Sequence, residues 1–374
     1  MLRQPRPNHL FALCAGALLA LVGCGNPSSP SPTPAPTPPT PSAQRTRIAV
    51  IPKGTSHEFW KSVQAGALKA GEELGVEVIW KGPAREDDRD DQIKVVEDFT
   101  TQKVNGIVIA PLDDTALVRP LKEAKDAGIR VTIIDSGLNW DGYESFAATD
   151  NTHGGELAGE ELGRLLGGKG SIVMMRYVEG SASTRQREEG FLNVIKTKFP
   201  EIKVLSSDRY GGATLESCLK AAEDLLTRFP DFDGAYAPNE PSAAAFMKAI
   251  NDAKRKDKVR LVGFDASKAL VEGLRGGAID ALVVQNPLRM GELGVRAMVE
   301  ALGGKSVEKR IDTGCTLVTD DGPKEQGRLN WIVETGATYV MGVPTHAMIY
   351  SSGSASVMDG GSSLLQFQGP LGAL

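Results

Sequence analysis

The sequence predicts an α/β protein made of doubly wound parallel sheets, on three observations. Short, nearly all-apolar runs such as Lys258-Val-Arg-Leu-Val-Gly-Phe-Asp265 read as strands covered on both faces. Such runs alternate with helical patterns through short loops, the grammar of an open parallel sheet. The alternation then restarts after Ala147-Ala-Thr-Asp-Asn151, so the chain has two similar halves.

Arg47-Ile-Ala-Val-Ile51 opens the first half. A helix follows over 57–74, with Phe59, Val63 and Leu68 as inward positions, and then a strand over 76–80. Residues 90–102 read as a helix with Ile93, Val96 and Phe99 on its apolar side. Strands over 106–110 and 131–134 flank a helix over 116–127, which Gly128 stops. In the second half, helices near 153–166, 184–198, 215–228, 241–254 and 268–275 alternate with strands near 171–175, 202–206, 234–237, 260–264 and 280–284. A helix over 290–302 and an extended segment over 311–318 follow.

Four of these strands end on a polar residue: Asp135, Asn239, Asp265 and Gln285. Ligands of open α/β sheets bind outside the carboxyl ends of the strands, so the four side chains converge on a binding site. A strand-end aspartate can instead cap the next helix, and Ala-Ser-Lys after Asp265 permits that. Convergence of four ends favours ligand contact.

The 374 residues leave room for two domains and extensions. Net charge is -5 and no basic stripe interrupts it, which argues against nucleic acid as a partner. Cys14, Cys24, Cys218 and Cys315 form no Cys-x-x-Cys pair, and His9, His57, His153 and His346 are scattered. That spacing predicts no metal site and no cofactor, with Cys218 and Cys315 as separate thiols. No phosphate-binding loop, Gly-x-Ser-x-Gly or His-Glu-x-x-His motif is present. Gly167-Gly-Lys-Gly170 is a helix stop, because no helix follows it directly. The run Glu86-Asp-Asp-Arg-Asp-Asp91 reads as a solvated loop and helix start.

The amino terminus is an address. Arg3 and Arg6 precede an apolar run from Leu10 to Val22, too short to span a bilayer comfortably and laid out like a secretory signal. Leu21-Val-Gly-Cys24 resembles a bacterial lipobox, which makes Cys24 the lipidated first residue of the mature protein; an ordinary signal peptide is the simpler alternative. Residues 25–44, with Pro at nearly every second position, cannot bury a core and read as an extended tether. A Pro-rich docking ligand is the rival reading of that stretch.

Over residues 46–318 the chain resembles the periplasmic sugar-binding proteins of the ribose-binding type. The resemblance rests on an ordered series: Glu58-Phe-Trp60, Ala148-Thr-Asp-Asn-Thr-His-Gly-Gly155, Ser183-Thr-Arg-Gln-Arg-Glu-Glu-Gly-Phe191, Phe229-Pro-Asp231, Ala237-Pro-Asn-Glu240, Leu261-Val-Gly-Phe-Asp265 and Val284-Gln285. It implies two lobes joined by a three-crossing hinge, crossing near Thr149, Gln285 and Gly314. The lobes are then 45–148 plus 286–313 and 149–285 plus 314–319. Beyond that, 320–374 reads as an irregular tail with a stray strand over 339–343.

The resemblance also implies a site. Phe59 and Trp60 fall where an aromatic pair stacks on the sugar ring, and His57 where a polar amide is usual. His57 is equally readable as the start of a helix. Asp135 matches the aspartate of an Asp-Arg pair whose arginine is here Ser136. Arg185, Asn239, Asp265 and Gln285 match polar contacts of the second lobe and hinge, and Tyr210 stands for a further aromatic. Trp140 and Tyr177 are additional cleft candidates, while Arg187 reads as a structural or surface partner. Carboxylates, a guanidinium fork and amides suit hydroxyls, and aromatic faces suit C–H faces. Two carboxylates to one arginine disfavour an anionic ligand, and loss of the arginine fork at Ser136 argues against ribose itself.

The expectation is a lipid-anchored, monomeric solute-binding protein of the periplasm or cell envelope. It would capture a neutral sugar by hinge closure and hand it to an ABC permease. The alternative is a sensor passing a ligand signal to a membrane receptor. A secreted enzyme is disfavoured, although Asp135 and Asp265 could imitate a glycosidase pair. A lactose-repressor type of regulator is excluded, because a signal and tether stand where it needs a helix-turn-helix.

Overall fold

A computed structural model describes residues 45–319 and, further on, two short strands. The signal over 1–24 with Cys24, the tether over 25–44 and the stray strand over 339–343 lie outside the described residues. Among the described residues no helix is long and apolar enough to cross a membrane.

The first half runs β1 (Arg47–Ile51), α1 (Glu58–Leu74), β2 (Glu77–Trp80), α2 (Arg89–Thr101), β3 (Gly106–Ile109), α3 (Val118–Asp126), β4 (Arg130–Ile134) and β5 (Phe146–Ala148). The second runs α4 (Asn151–Leu165), β6 (Lys169–Arg176), α5 (Ala182–Lys198), β7 (Glu201–Tyr210), α6 (Leu215–Arg228), β8 (Gly234–Tyr236), α7 (Glu240–Asp252), β9 (Arg260–Phe264), α8 (Lys268–Arg275) and β10 (Ala281–Gln285). Then come α9 (Pro287–Leu302), β11 (Arg310–Asp312) and β12 (Cys315–Thr319). Within the stretch read as an irregular tail, β13 (Met348–Ser351) and β14 (Ser354–Val357) pair antiparallel.

The strands form two six-stranded sheets, ordered β11-β5-β4-β3-β1-β2 and β12-β10-β9-β8-β6-β7. The first is parallel throughout, and the second is parallel except for β12 against β10. Each repeats the same winding order, so each is doubly wound. Burial follows from it. In the first sheet, Val63, Ala67, Met290 and Met298 of α1 and α9 cover one face, while Val96, Phe99 and Leu121 of α2 and α3 cover the other. In the second, Leu162, Phe191 and Ile195 of α4 and α5 face Phe246, Leu270 and Leu274 of α7 and α8 across the strands.

The chain changes sheet after β5, after β10, and between β11 and β12. At the first and third changes Thr149 and Thr313 lie side by side, hydroxyls 3.4 Å apart, and Arg310 donates to the carbonyls of Ala148 and Thr149. Gly314 turns there with φ 80°, a left-handed backbone that glycine adopts without steric cost. The extended segment over 311–318 is therefore two strands in two sheets.

One reading of the sequence is corrected here, and one element was not read at all. Leu68 is exposed, because the inward stripe of α1 runs through Trp60, Val63, Ala67 and Ala70. Strand β5 is a three-residue element too short to leave a pattern. Cys218 and Cys315 are unbridged thiols.

Candidate functional site

The carboxyl ends of both sheets face one cleft. Asp135 follows β4, Asp265 follows β9, Asn239 lies three residues beyond β8, and Gln285 ends β10. All four line a single cavity.

On the first-lobe side, α1 begins after His57, whose backbone is extended and whose side chain makes no cap. Its Nδ1 instead lies 2.6 Å from Glu86 Oε1. The same carboxylate oxygen accepts the Trp60 indole N–H at 2.7 Å. Burial opposes charge on both His57 and Glu86, yet their mutual contact, helped by Lys53 and Trp60, outweighs it. Glu86 is held below the usual carboxylate range and the His57 imidazole above its usual value. Phe59 meets Trp60 edge-on, centroids 4.9 Å apart, so the two rings offer a corner rather than a stack. Lys53, just after β1, is ion-paired with Asp135 at 3.0 Å.

On the second-lobe side, Asp265 does not cap the helix after it; Ser267 does. Asp265 accepts from Gln285 Nε2 at 2.6 Å and from the Glu240 N–H at 2.9 Å. Burial pushes its carboxyl up, against the pull of Arg187 and those two bonds. Arg187 is 2 % exposed. Its guanidinium donates to Asn151 Oδ1 at 2.8 Å and to the Pro238 carbonyl at 2.9 Å, and lies 4.0 Å over the Phe264 ring. Burial pushes Glu240 up to about 7, with His57 opposing and Asp265 reinforcing. Glu240 Oε2 and Gln285 Oε1 are buried acceptors without a partner among the described residues. Both are ready to take a hydroxyl.

Seven of the ten predicted ligand contacts line the cavity: His57, Phe59, Trp60, Asp135, Asn239, Asp265 and Gln285. Three do not. Ser136 is fully buried beside the cavity, and its hydroxyl accepts the Ser183 N–H at 3.1 Å. Arg185 lies outside, bound to Asp114 at 2.6 Å. Tyr210 ends the edge strand β7 and is exposed. Tyr177 joins the cavity, whereas Trp140 packs on the first lobe under Lys125.

The arginine of α5 that lines the cavity is Arg187, not Arg185. Two positions apart on a helix are about 200° apart, so only one can face inward. Arg187 is in phase with the buried Gly190, Phe191, Val194 and Ile195, a signal present in the sequence. Lys53 and Glu86 were also missed. Each follows the carboxyl end of a strand, the position that marked the other site residues, and Glu86 is buried rather than part of a solvated run.

The lining holds four carboxyl groups (Glu86, Asp135, Glu240, Asp265) beside Lys53, Arg187 and His57. An anionic ligand would be desolvated against these carboxyls, with Lys53 already paired to Asp135. Mixed donors and acceptors beside an aromatic corner suit a compact polyhydroxylated molecule.

Residues 48–306 match the family model described as periplasmic binding protein domain. The ribose import binding protein of Bacillus subtilis is 29% identical over 266 residues, covering 71% of this chain and 84% of that protein. A carbohydrate transporter solute-binding protein from Agrobacterium radiobacter, solved with D-arabinose, is 36% identical with a TM-score of 0.73, covering 76% of this chain and 97% of that one. An ABC transporter solute-binding protein from Agrobacterium vitis, solved with D-fucose, is also 36% identical, with a TM-score of 0.71 and coverage of 75% and 97%. The chain belongs to the periplasmic binding protein family.

Proposed function

We propose that this periplasmic binding protein is of the ribose type and captures a neutral sugar in the cleft for import by an ABC transporter. The observation that carries the reading is a cavity where the strand ends of both sheets meet, lined by carboxylates, amides, Arg187 and the Phe59–Trp60 corner. Relatives named for ribose import, or solved with D-arabinose and D-fucose, support the same ligand class. The sugar lies against Phe59 and Trp60 and donates hydroxyls to Glu240 Oε2 and Gln285 Oε1. It accepts from Arg187 and Asn239, with Asp265 and Asp135 at the two strand ends. Ser136, Arg185 and Tyr210 act outside this contact set.

The moving bodies are residues 45–148 plus 286–313 and residues 149–285 plus 314–319. Ligand bridging both shifts an open–closed equilibrium. The site holds rather than hydrolyses, since Asp135 is already paired with Lys53. The protein works as a monomer in the periplasm, anchored to the membrane through lipid on Cys24. Incorporation of labelled palmitate that survives Cys24→Ser would rule out that anchor.

Thermal-shift screening against neutral pentoses, hexoses and polyols tests the central reading, because a ligand that binds only the folded state raises the melting temperature. The expected result is a selective rise with one sugar, lost in Asp265→Ala and Arg187→Ala. No rise with any sugar from a folded sample overturns it.

A further inference from the structure

Lys53 follows Pro52 at the carboxyl end of β1 and is 3 % exposed. A lysine ammonium has three N–H donors and no acceptor. Its Nζ lies 3.0 Å from Asp135 Oδ2, 3.2 Å from Ser181 Oγ and 3.0 Å from Ser183 Oγ. Three acceptors engage the three donors. Asp135 extends from the same sheet as Lys53, whereas Ser181 and Ser183 stand at the start of α5, on the opposite side of the cleft. We propose that Lys53, in the wall of the cavity, holds the two lobes shut through Asp135 on one side and Ser181 and Ser183 on the other. The inference rests on the hinge-closing reading above, but on no particular ligand.

The local chemistry is otherwise hard to account for. Ser181 is the N-cap of α5, a position whose hydroxyl ordinarily accepts a helix N–H, yet it makes no such bond. Its oxygen faces Lys53 instead. A cation at a helix N-terminus is unfavourable, and the paired Asp135 offsets that charge. Ser136 adds a second crossing, accepting the Ser183 N–H at 3.1 Å.

Arg187 offers the contrast. The partners of its guanidinium, Asn151, Pro238 and Phe264, all belong to its own lobe, so it has no comparable part in closure. Closure stabilised before ligand arrives raises apparent affinity by population shift alone.

Three backbone amides report closure directly, because each donates across the cleft: Ser183 to Ser136 Oγ, Asp114 to the Gly180 carbonyl at 3.0 Å, and Lys268 to Glu58 Oε2 at 3.1 Å. Hydrogen exchange of the full chain without sugar therefore tests the proposal. Lys53→Met keeps the apolar stem but removes the donors. The double variant Ser181→Ala/Ser183→Ala removes only the opposing acceptors and leaves the Lys53–Asp135 pair, should Lys53→Met fail to fold. Both are expected to speed exchange at all three amides by about tenfold or more, and Lys248→Met, which removes an exposed ammonium paired with Asp252 on its own helix, to leave them at the wild-type rate. Wild-type exchange at Lys268 in the double variant, or equal acceleration by Lys248→Met, overturns the proposal. No sugar is added, so a protein that binds none would defeat the sugar reading while leaving this test intact.

Discussion

Asp135 and Asp265 occupy equivalent places in the two sheets, one just past β4 and the other just past β9, the fourth strand of each winding order. Both have left-handed backbone, with φ of 60° and 74°. Non-glycine residues adopt that conformation at a cost, least for Asp and Asn, and it persists where the surroundings enforce it. In each lobe it turns the carboxylate back over the strand ends into the cavity. The two halves thus present one chemical group by the same backbone device.

Replacing Asp265 removes the acceptor for Gln285 Nε2 and the Glu240 N–H. Asp265→Ala should cost about 2–3 kcal/mol of binding, roughly 30- to 150-fold in affinity, and also lower stability through unmet donors and an alanine at φ 74°. Asp265→Asn keeps the turn and should retain most of the stability while losing affinity. Calorimetric titration with the stabilising sugar, beside urea denaturation, separates the two effects. Full affinity in Asp265→Ala would refute the assignment.

The two arginines of α5 should separate cleanly. Arg187→Ala empties a buried position among Asn151, Pro238 and Phe264, so binding should fall by about 100-fold or more. Arg185→Ala breaks a pair whose arginine side chain is 43% exposed, worth about 0–1 kcal/mol, and should weaken binding less than tenfold. Titration of both variants decides; the reverse ranking would restore Arg185 to the site.

Glu240 and Glu188 are both pushed up to about 7, chiefly by burial. A carboxyl with raised folded-state pKa holds its proton more tightly when folded. The stability it contributes is complete below about 4.3, the unfolded value, and is lost as pH rises through about 7. The urea midpoint should therefore decline across that window, and Glu240→Gln should remove roughly half of this contribution, since Glu188 remains. An unchanged slope in Glu240→Gln would place its proton affinity in the ordinary range.

Glycines set the approach of the helices beneath the site. A Cβ at Gly155 would run into the Arg187 carbonyl, and one at Gly190 into that of Thr152. The α1–α9 pair repeats the arrangement, with Gly66 against Leu288 and Gly291 against Val63. Gly190→Ala should cost about 1–3 kcal/mol, or more, by prying α4 from α5. It should also weaken sugar binding, because Arg187 rides on the same helix. Melting curves and titration check the pair of effects; a variant stable and tight-binding as the wild type would show the helices free to adjust.

Much of this was legible in the residues. Strand–helix alternation exposed the doubly wound class, because burial on both faces leaves near-continuous apolar runs such as Leu261-Val-Gly-Phe264. Strand-end polarity exposed Asp135, Asn239, Asp265 and Gln285, because parallel sheets gather their carboxyl ends at one edge. Helical phase marked Arg187, rather than Arg185, as the arginine that faces the cavity.

Which side chains meet across the cleft is settled by the folded arrangement alone. Ser181 and Ser183 lie 128 and 130 positions from Lys53, and Glu58 lies 210 from Lys268. No local periodicity carries such separations. Sequence patterns record what one element must bury against its own sheet, since that demand recurs at every turn or alternate residue. A hydrogen bond between lobes is a single event, set by where two separately folded sheets come to rest.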